Sequence, residues 1–175
     1  MCGICGIYNF SGELANMEKL KKMNNEMINR GPDSDGYYIY KNFGMAMRRL
    51  SIIDAKTSSQ PVENNNGNIS LIFNGEIYNY IELKKVLVAN GYKFKTNGDA
   101  EVILKLYEKY GENFVKYLNG MFSICIIDKR NELKILIYRD RFGIKPLYYS
   151  FQNDQLIFAS SLNCFKKINK DIQKS

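Results

Sequence analysis

The sequence predicts an α+β fold in which antiparallel sheet lies in layers with helices packed outside it. Three observations predict this. Strand-period and helix-period stretches come in blocks instead of a regular strand-helix-strand repeat, the short apolar strands are separated by turn-sized gaps, and each helical stretch has one apolar face to lay on a sheet. At 175 residues the chain suits one domain, able to bury roughly two thirds of the surface its unfolded form exposes. With 45% hydrophobic residues, 13 Tyr and 10 Phe against 3 Pro, it is not a disordered chain.

Taken in order, a strand is expected over about 3–9, then a helix near 14–28 with Leu14, Met17, Leu20, Met23 and Met27 or Ile28 on one face. Arg30-Gly-Pro-Asp-Ser-Asp-Gly36 is turn chemistry, and the strand Gly36–Lys41 should pair across Asn42 with a second strand around 43–53. Residues 55–68 form a loop before the short apolar strand Ile69–Phe73. Asn79-x-x-Glu82 has capping-box spacing for a helix over about 79–90, which Gly91 ends. After a strand at Tyr92–Thr96, Asp99 can cap a second amphipathic helix that stops at Gly111, with a shorter helix at 112–118. Residues 121–128 and 133–140 read as a hairpin, followed by short strands at 146–151 and 155–159 and a loose basic tail from Phe165 to Ser175.

The formal charge of +7 is spread in ones and twos from Lys19 to Lys174, which reads as solvated surface and not as a nucleic-acid stripe. Tyr92-Lys93-Phe94-Lys95 interleaves rings with cations, but a half-buried strand gives the same pattern. No stretch is long and apolar enough to cross a bilayer, and the first residues lack a signal-peptide pattern, so a cytoplasmic protein with reduced thiols is expected.

Chemistry centres on Cys2. The chain has no histidine, so a cysteine nucleophile needs another base. Removal of Met1 would place an α-amine beside the Cys2 thiol; such an amine titrates at roughly 7.7–8.0 and can accept the thiol proton. The competing reading is a small buried residue in the first strand. Cys2-x-x-Cys5 lacks the second ligand pair that a zinc site wants and the strand-to-helix setting of a redox pair.

Three polar clusters could complete a cysteine amidase acting on an amino acid. Asn74-Gly75-Glu76 follows an apolar strand, so the Asn74 amide and the Gly75 N–H can form an oxyanion hole; an Asn-Gly hairpin turn is the alternative. In Met47-Arg-Arg-Leu-Ser-Ile52, alternation puts Arg49 on the side of Met45 and Met47, and Arg48 on the other. Arg49 can grip a substrate carboxylate or form an internal ion pair. Asp99 can hold a substrate ammonium or cap its helix.

Together the residues resemble a family. Met-Cys-Gly-Ile-Cys-Gly-Ile, Arg30-Gly-Pro-Asp33, Arg49-Leu-Ser-Ile52, Asn74-Gly-Glu-Ile-Tyr-Asn79, Asp99-x-Glu-Val-Ile-Leu104, Asn119-Gly-Met-Phe122 and Arg139-Asp-Arg-Phe-Gly-Ile-Lys-Pro-Leu-Tyr-Tyr149 look like the glutaminase domain of class II glutamine amidotransferases, above all those of glutamine-hydrolysing asparagine synthetases. The resemblance implies a four-layer αββα N-terminal-nucleophile hydrolase sandwich, two antiparallel sheets between helices, over residues 2–164. It implies Cys2 as nucleophile, Asn74 and Gly75 as oxyanion donors, and Arg49, Leu50, Ser51, Ile52, Ile53, Glu76 and Asp99 around L-glutamine. It implies a γ-glutamyl thioester intermediate, no metal or cofactor in this chain, and ATP and magnesium only in a synthetase half that the sequence does not contain. The implied partners are a synthetase domain or chain that receives ammonia and, in some assemblies, a homodimer; nucleic acid and membrane are not among them. Asn29 and Met47 stand where family members often carry histidine, and Ala159-Ser-Ser161 where they carry Ala-Ser-Glu. A catalytically idle glutamine-binding module and another N-terminal-cysteine amidase are the alternatives.

Overall fold

The computed structural model describes residues 2–50 and 59–168. In chain order its elements are β1 (Gly3–Asn9), α1 (Met17–Asn25), β2 (Ser34–Tyr40), β3 (Phe43–Arg49), β4 (Val62–Glu63), β5 (Ile69–Ile77), α2 (Tyr80–Ala89), α3 (Asp99–Tyr110), a 3₁₀ helix (Gly111–Tyr117), β6 (Gly120–Asp128), β7 (Lys134–Arg139), β8 (Tyr148–Gln152), β9 (Gln155–Ala159) and α4 (Asn163–Ile168). All strand pairs are antiparallel, as the α+β reading requires. They form two sheets, ordered β2-β3-β1-β9-β8 and β4-β5-β6-β7, and each sheet belongs to its own compact unit.

The first unit comprises the chain up to Leu50 and from Lys145 onward. Strand alternation sends Cys5, Ile7, Ala46, Ile157 and Ala159 to one face, where Leu20, Met23 and Met27 of the α1 segment and Cys164 and Phe165 of α4 cover them. The helix is shorter than its apolar pattern. The Asn16 side chain caps it by accepting from the Lys19 N–H at 3.0 Å, which leaves Leu14 outside at 70% exposure. Phe165 lies within α4, which runs to Ile168, instead of starting a loose tail, because its ring and the Cys164 thiol find this core.

The second unit packs α3 on the four-stranded sheet and α2 on α3. Ile69, Leu71, Phe73, Ile77, Phe122, Ile124 and Ile126 meet Val102, Ile103, Leu106 and Tyr107 in its core. Three local expectations fail here, each for a long-range reason. Strand β5 runs through Asn74-Gly75-Glu76 to Ile77 because β6 pairs with it all the way to Gly120, so the Asn-Gly step is strand and not a strand end or turn. The capping box at Asn79 does not form: the Asn79 side chain accepts from Asn119 N–H at 3.0 Å and donates to Tyr117 O at 3.0 Å. Residues 92–96 join no sheet. Tyr92 and Phe94 point to the core while the Glu101 carboxylate collects the Lys95 and Thr96 N–H groups and the Thr96 hydroxyl.

Among the described residues no helix is long and apolar enough to cross a membrane. Glu101 is 6% exposed, so an amide in its place would set an NH2 group against backbone donors. Glu101→Gln should destabilise the fold by about 1–3 kcal/mol in urea titration; an unchanged midpoint would show that Glu101 does not hold residues 95–96.

Candidate active site

Of the four cysteines, Cys5, Cys125 and Cys164 are buried and Cys2 is not. Burial pushes the Cys5 and Cys125 thiols well above their ordinary range and raises Cys164 to about 12, so none of these three forms a thiolate readily near neutral pH. Cys2 precedes β1, whose pairing with β3 sets Gly3 opposite Arg48; continued by one residue, the register sets Cys2 beside Arg49. The Cys2 Sγ accepts from the Leu50 N–H at 3.4 Å and lies 3.6 Å from the Leu50 carbonyl oxygen, to which the thiol donates. The backbone of Leu50 therefore holds the sulfur from both sides.

Arg48 and Arg49 face opposite ways, as alternation predicts. Arg48 turns to the helix side, where it donates to Asn24 O and to Asn25 Oδ1 and lies 3.6 Å from the Asp35 carboxylate. Arg49 takes the other face, shared with Met45 and Met47, and is 7% exposed. Sequence reading missed Arg30. Its Nε donates to the Cys2 carbonyl oxygen at 3.2 Å, while its Nη2 is buried without a hydrogen-bond partner among the described residues. The signal was the Arg30-Gly-Pro-Asp33 motif itself, which is more than a turn. A Cβ on Gly31 would overlap the Arg48–Arg49 backbone, and the Asp33 N–H bonds to the Arg49 carbonyl oxygen at 3.1 Å. The motif clamps the ends of β1 and β3 beside Cys2.

In the second unit, Asn74, Gly75 and Glu76 are consecutive in β5, and Asp99 joins the strand beside them by accepting from the Ile77 N–H. Phe122, opposite Gly75 in β6, has both backbone polar groups turned toward Asp140, to which it donates and from which it accepts. Gly75 and Phe122 are thus a non-hydrogen-bonded pair, and the Gly75 N–H points away from β6. Its neighbours on that edge are occupied: Phe73 N–H donates to Gln60 Oε1 at 2.6 Å and Ile77 N–H to Asp99 Oδ2 at 3.1 Å. Glycine is required at position 75, where any Cβ would overlap the Met121 carbonyl oxygen and stand 2.8 Å from Phe122 Cα. Asn74, 1% exposed, lies on the sheet face opposite the α3 core, across from Ser123.

Asp99 does not cap its helix; Gly98 occupies that position and Asp99 is the first helical residue. Burial raises its carboxyl above the ordinary range; backbone N–H groups of Ile77, Asp99 and Ala100 pull it back, and the nearby Glu76 adds to the rise. Ser51, Ile52, Ile53 and Met1 lie outside the described residues. Among those described, no three His, Cys, Asp or Glu side chains are grouped to hold a metal ion.

A family model described as a glutamine amidotransferase domain matches residues 1–175. The chain belongs to the glutamine amidotransferase domain family. Among curated relatives, asparagine synthetase [glutamine-hydrolyzing] 1 of Bacillus subtilis is 45% identical over 99% of this chain and 28% of its own length. Asparagine synthetase [glutamine-hydrolyzing] 2 of the same organism is 47% identical over 93% of the chain and 22% of its own length. The putative asparagine synthetase 2 of Methanocaldococcus jannaschii is 41% identical over 97% and 36%. The amidotransferase domain thus spans 22% to 36% of the length of these relatives. A solved structure of glutamine phosphoribosylpyrophosphate amidotransferase from B. subtilis, complexed with ADP and GMP, superposes with TM-score 0.78 at 20% identity, over 95% of this chain and 43% of that one. A structure titled the allosteric regulatory enzyme of purine biosynthesis gives 0.81 at 20% identity, over 94% and 43%. At that identity the likeness is one of fold, in keeping with the antiparallel α+β class that the sequence predicts.

Short exposure of the folded amidotransferase domain to iodoacetamide should modify Cys2 well before Cys5, Cys125 or Cys164, as mapped by peptide mass. Equal labelling of all four would refute the distinction.

Proposed function

We propose that this amidotransferase domain hydrolyses L-glutamine to L-glutamate and ammonia with Cys2 as nucleophile, and that the ammonia passes to a synthetase domain or chain. The observation that carries the reading is the Cys2 thiol, the unburied one of four, seated on the Leu50 backbone at the position that becomes the N-terminus once Met1 is removed.

The α-amine then takes the thiol proton, and the thiolate attacks the side-chain amide carbon of glutamine. The carbonyl oxygen becomes an oxyanion, for which Asn74 and the Gly75 N–H are the proposed donors; loss of one such donor costs about 2.7–4 kcal/mol of transition-state stabilisation. As the carbon–nitrogen bond breaks, the proton held on the α-ammonium moves to the leaving nitrogen. Ammonia departs and a γ-glutamyl thioester remains. Water, relieved of a proton by the same amine, attacks the thioester, releases glutamate and restores the thiol. Arg49 and Asp99 have the signs needed for the α-carboxylate and α-ammonium of an amino acid, while Leu50, Ser51, Ile52, Ile53 and Glu76 are proposed to line its path.

Protein lacking Met1 should release glutamate from glutamine, Cys2→Ala should release none, and Asn74→Ala should lower kcat by about 10²–10³. An active preparation whose intact mass retains Met1 would exclude the amine as base. Asp99 binds an ammonium only when ionised, and its raised pKa means that the charge is lost on acidification sooner than at an ordinary aspartate near ~3.9. KM for glutamine should therefore climb as the pH falls through the mildly acidic range. Asp99→Asn should show a high KM without that climb; a wild-type KM that is flat down to about pH 4 would remove Asp99 from the site.

A further inference from the structure

We propose that Asp140 is a positioning residue for the Gly75 oxyanion donor: its carboxylate fixes the β6 backbone at Phe122, the surface against which the Gly75 peptide is packed. This rests on the reading of Gly75 as an oxyanion donor given above.

Asp140 is 5% exposed and follows β7 directly. Its Oδ2 accepts from the Phe122 N–H at 3.2 Å, its Oδ1 from the Ile144 N–H at 2.9 Å, and its own N–H donates to the Phe122 carbonyl oxygen at 2.8 Å. One residue earlier, Ser123 and Arg139 form the last regular pair of the β6–β7 ladder. Beyond it the chain turns away through Arg141 to Ile144, so the Asp140 side chain supplies the acceptor that a continued strand would have given to Phe122. The consequence lies across β6. Phe122 is the register partner of Gly75, and its Cα lies 2.8 Å from where a Gly75 Cβ would be. Gly120, also in β6, is held as closely: a Cβ there would overlap the Glu76 carbonyl oxygen. With no side chain at either glycine to act as a spacer, the plane of the Gly75 peptide follows the position of the 120–122 backbone. If the Phe122 N–H loses its acceptor, it is a buried donor with nothing to bond, and the strand relieves this by rotating the Met121–Phe122 peptide. The Gly75 N–H then turns away from its direction along the open β5 edge. An oxyanion donor misdirected in this way weakens the transition state more than substrate binding.

Asp140→Asn keeps size and shape but has one acceptor oxygen, so it satisfies one of the two N–H groups and sets its NH2 against the other. Glutaminase kinetics, glutamate affinity and thermal unfolding of wild type and Asp140→Asn test the proposal. The expected result is a folded variant with KM and glutamate affinity within about twofold of wild type and kcat lower by about tenfold or more. A folded variant with wild-type kcat overturns the proposal, as does a parallel loss of kcat and glutamate binding, which marks general damage. If Asp140→Asn does not fold, Asp140→Glu keeps the charge and both acceptors one methylene out of place. The same kcat-selective loss is expected of it, and wild-type kcat overturns the proposal. A wild-type domain without Met1 that releases no glutamate sinks the glutamine reading instead. In that event the ¹⁵N amide shift of Gly75 still decides, because a shift unchanged between wild type and variant overturns the positioning role.

Discussion

The antiparallel pairing of β1 with β3 is the constraint on which the placement of Cys2, the proposed nucleophile, depends. It carries the start of the chain to Arg49 and Leu50, and its period of two decides that Cys2 shares a face with Arg49 instead of facing α1. A slip of one residue would turn the Cys2 and Ile4 side chains toward Met23 and Met27 and bring Gly3 and Cys5 to the face of Arg49. Several contacts oppose such a slip. Gly3 leaves room for the Met27 thioether, Gly6 for the Phe158 ring, and the Asn24 amide donates to the Met47 carbonyl oxygen. The Arg30 bond to the Cys2 carbonyl oxygen and the bridge between Pro32 and Arg49 hold the open end of the pair.

The second unit uses the same parity for another purpose. In β5 the N–H groups of Phe73, Gly75 and Ile77 point to one edge, and side chains from elsewhere, Gln60 and Asp99, take the outer two. What distinguishes Gly75 is therefore not its own flexibility but the treatment of its neighbours. A strand edge normally needs every donor covered, and among the described residues the side-chain cover falls on either side of Gly75, the proposed oxyanion donor.

Much of this was legible in the sequence because it follows from periodicity. The hairpin of β6 and β7, the 3₁₀ segment, the amphipathic α3 and the opposite faces of Arg48 and Arg49 needed only local spacing. What the sequence hid was made by side chains bonding to distant backbone. Asn79 had the spacing of a cap and serves residues 117–119; Glu101 looked like one charge on a helix and gathers the 95–96 backbone; Arg30 looked like a turn residue and Asp140 like the end of a strand, and they hold Cys2 and Phe122. The extension of β5 through Asn74 and Gly75 is hidden for the same reason. Asn-Gly favours a turn locally, and only the nine-residue partner β6 overrides it.

Asp99 shows how such a site can be ready for a charged ligand without being stable in every protonation state. A carboxylate in the first turn of a helix, receiving backbone N–H groups, would ordinarily titrate low. Here desolvation outweighs those bonds and Glu76 adds to it, so the ionised form is held against its own preference. In the proposed site a ligand ammonium would reverse that balance, because it would supply the opposite charge where Asp99 is largely withdrawn from water. An amine-free analogue would bring no such charge and would leave the carboxylate buried and uncompensated, which is how a site built on charge rejects molecules that differ from its substrate by one group. If Asp99 is the proposed ammonium anchor, selectivity for an amino acid would arise from the cost of burying its carboxylate alone.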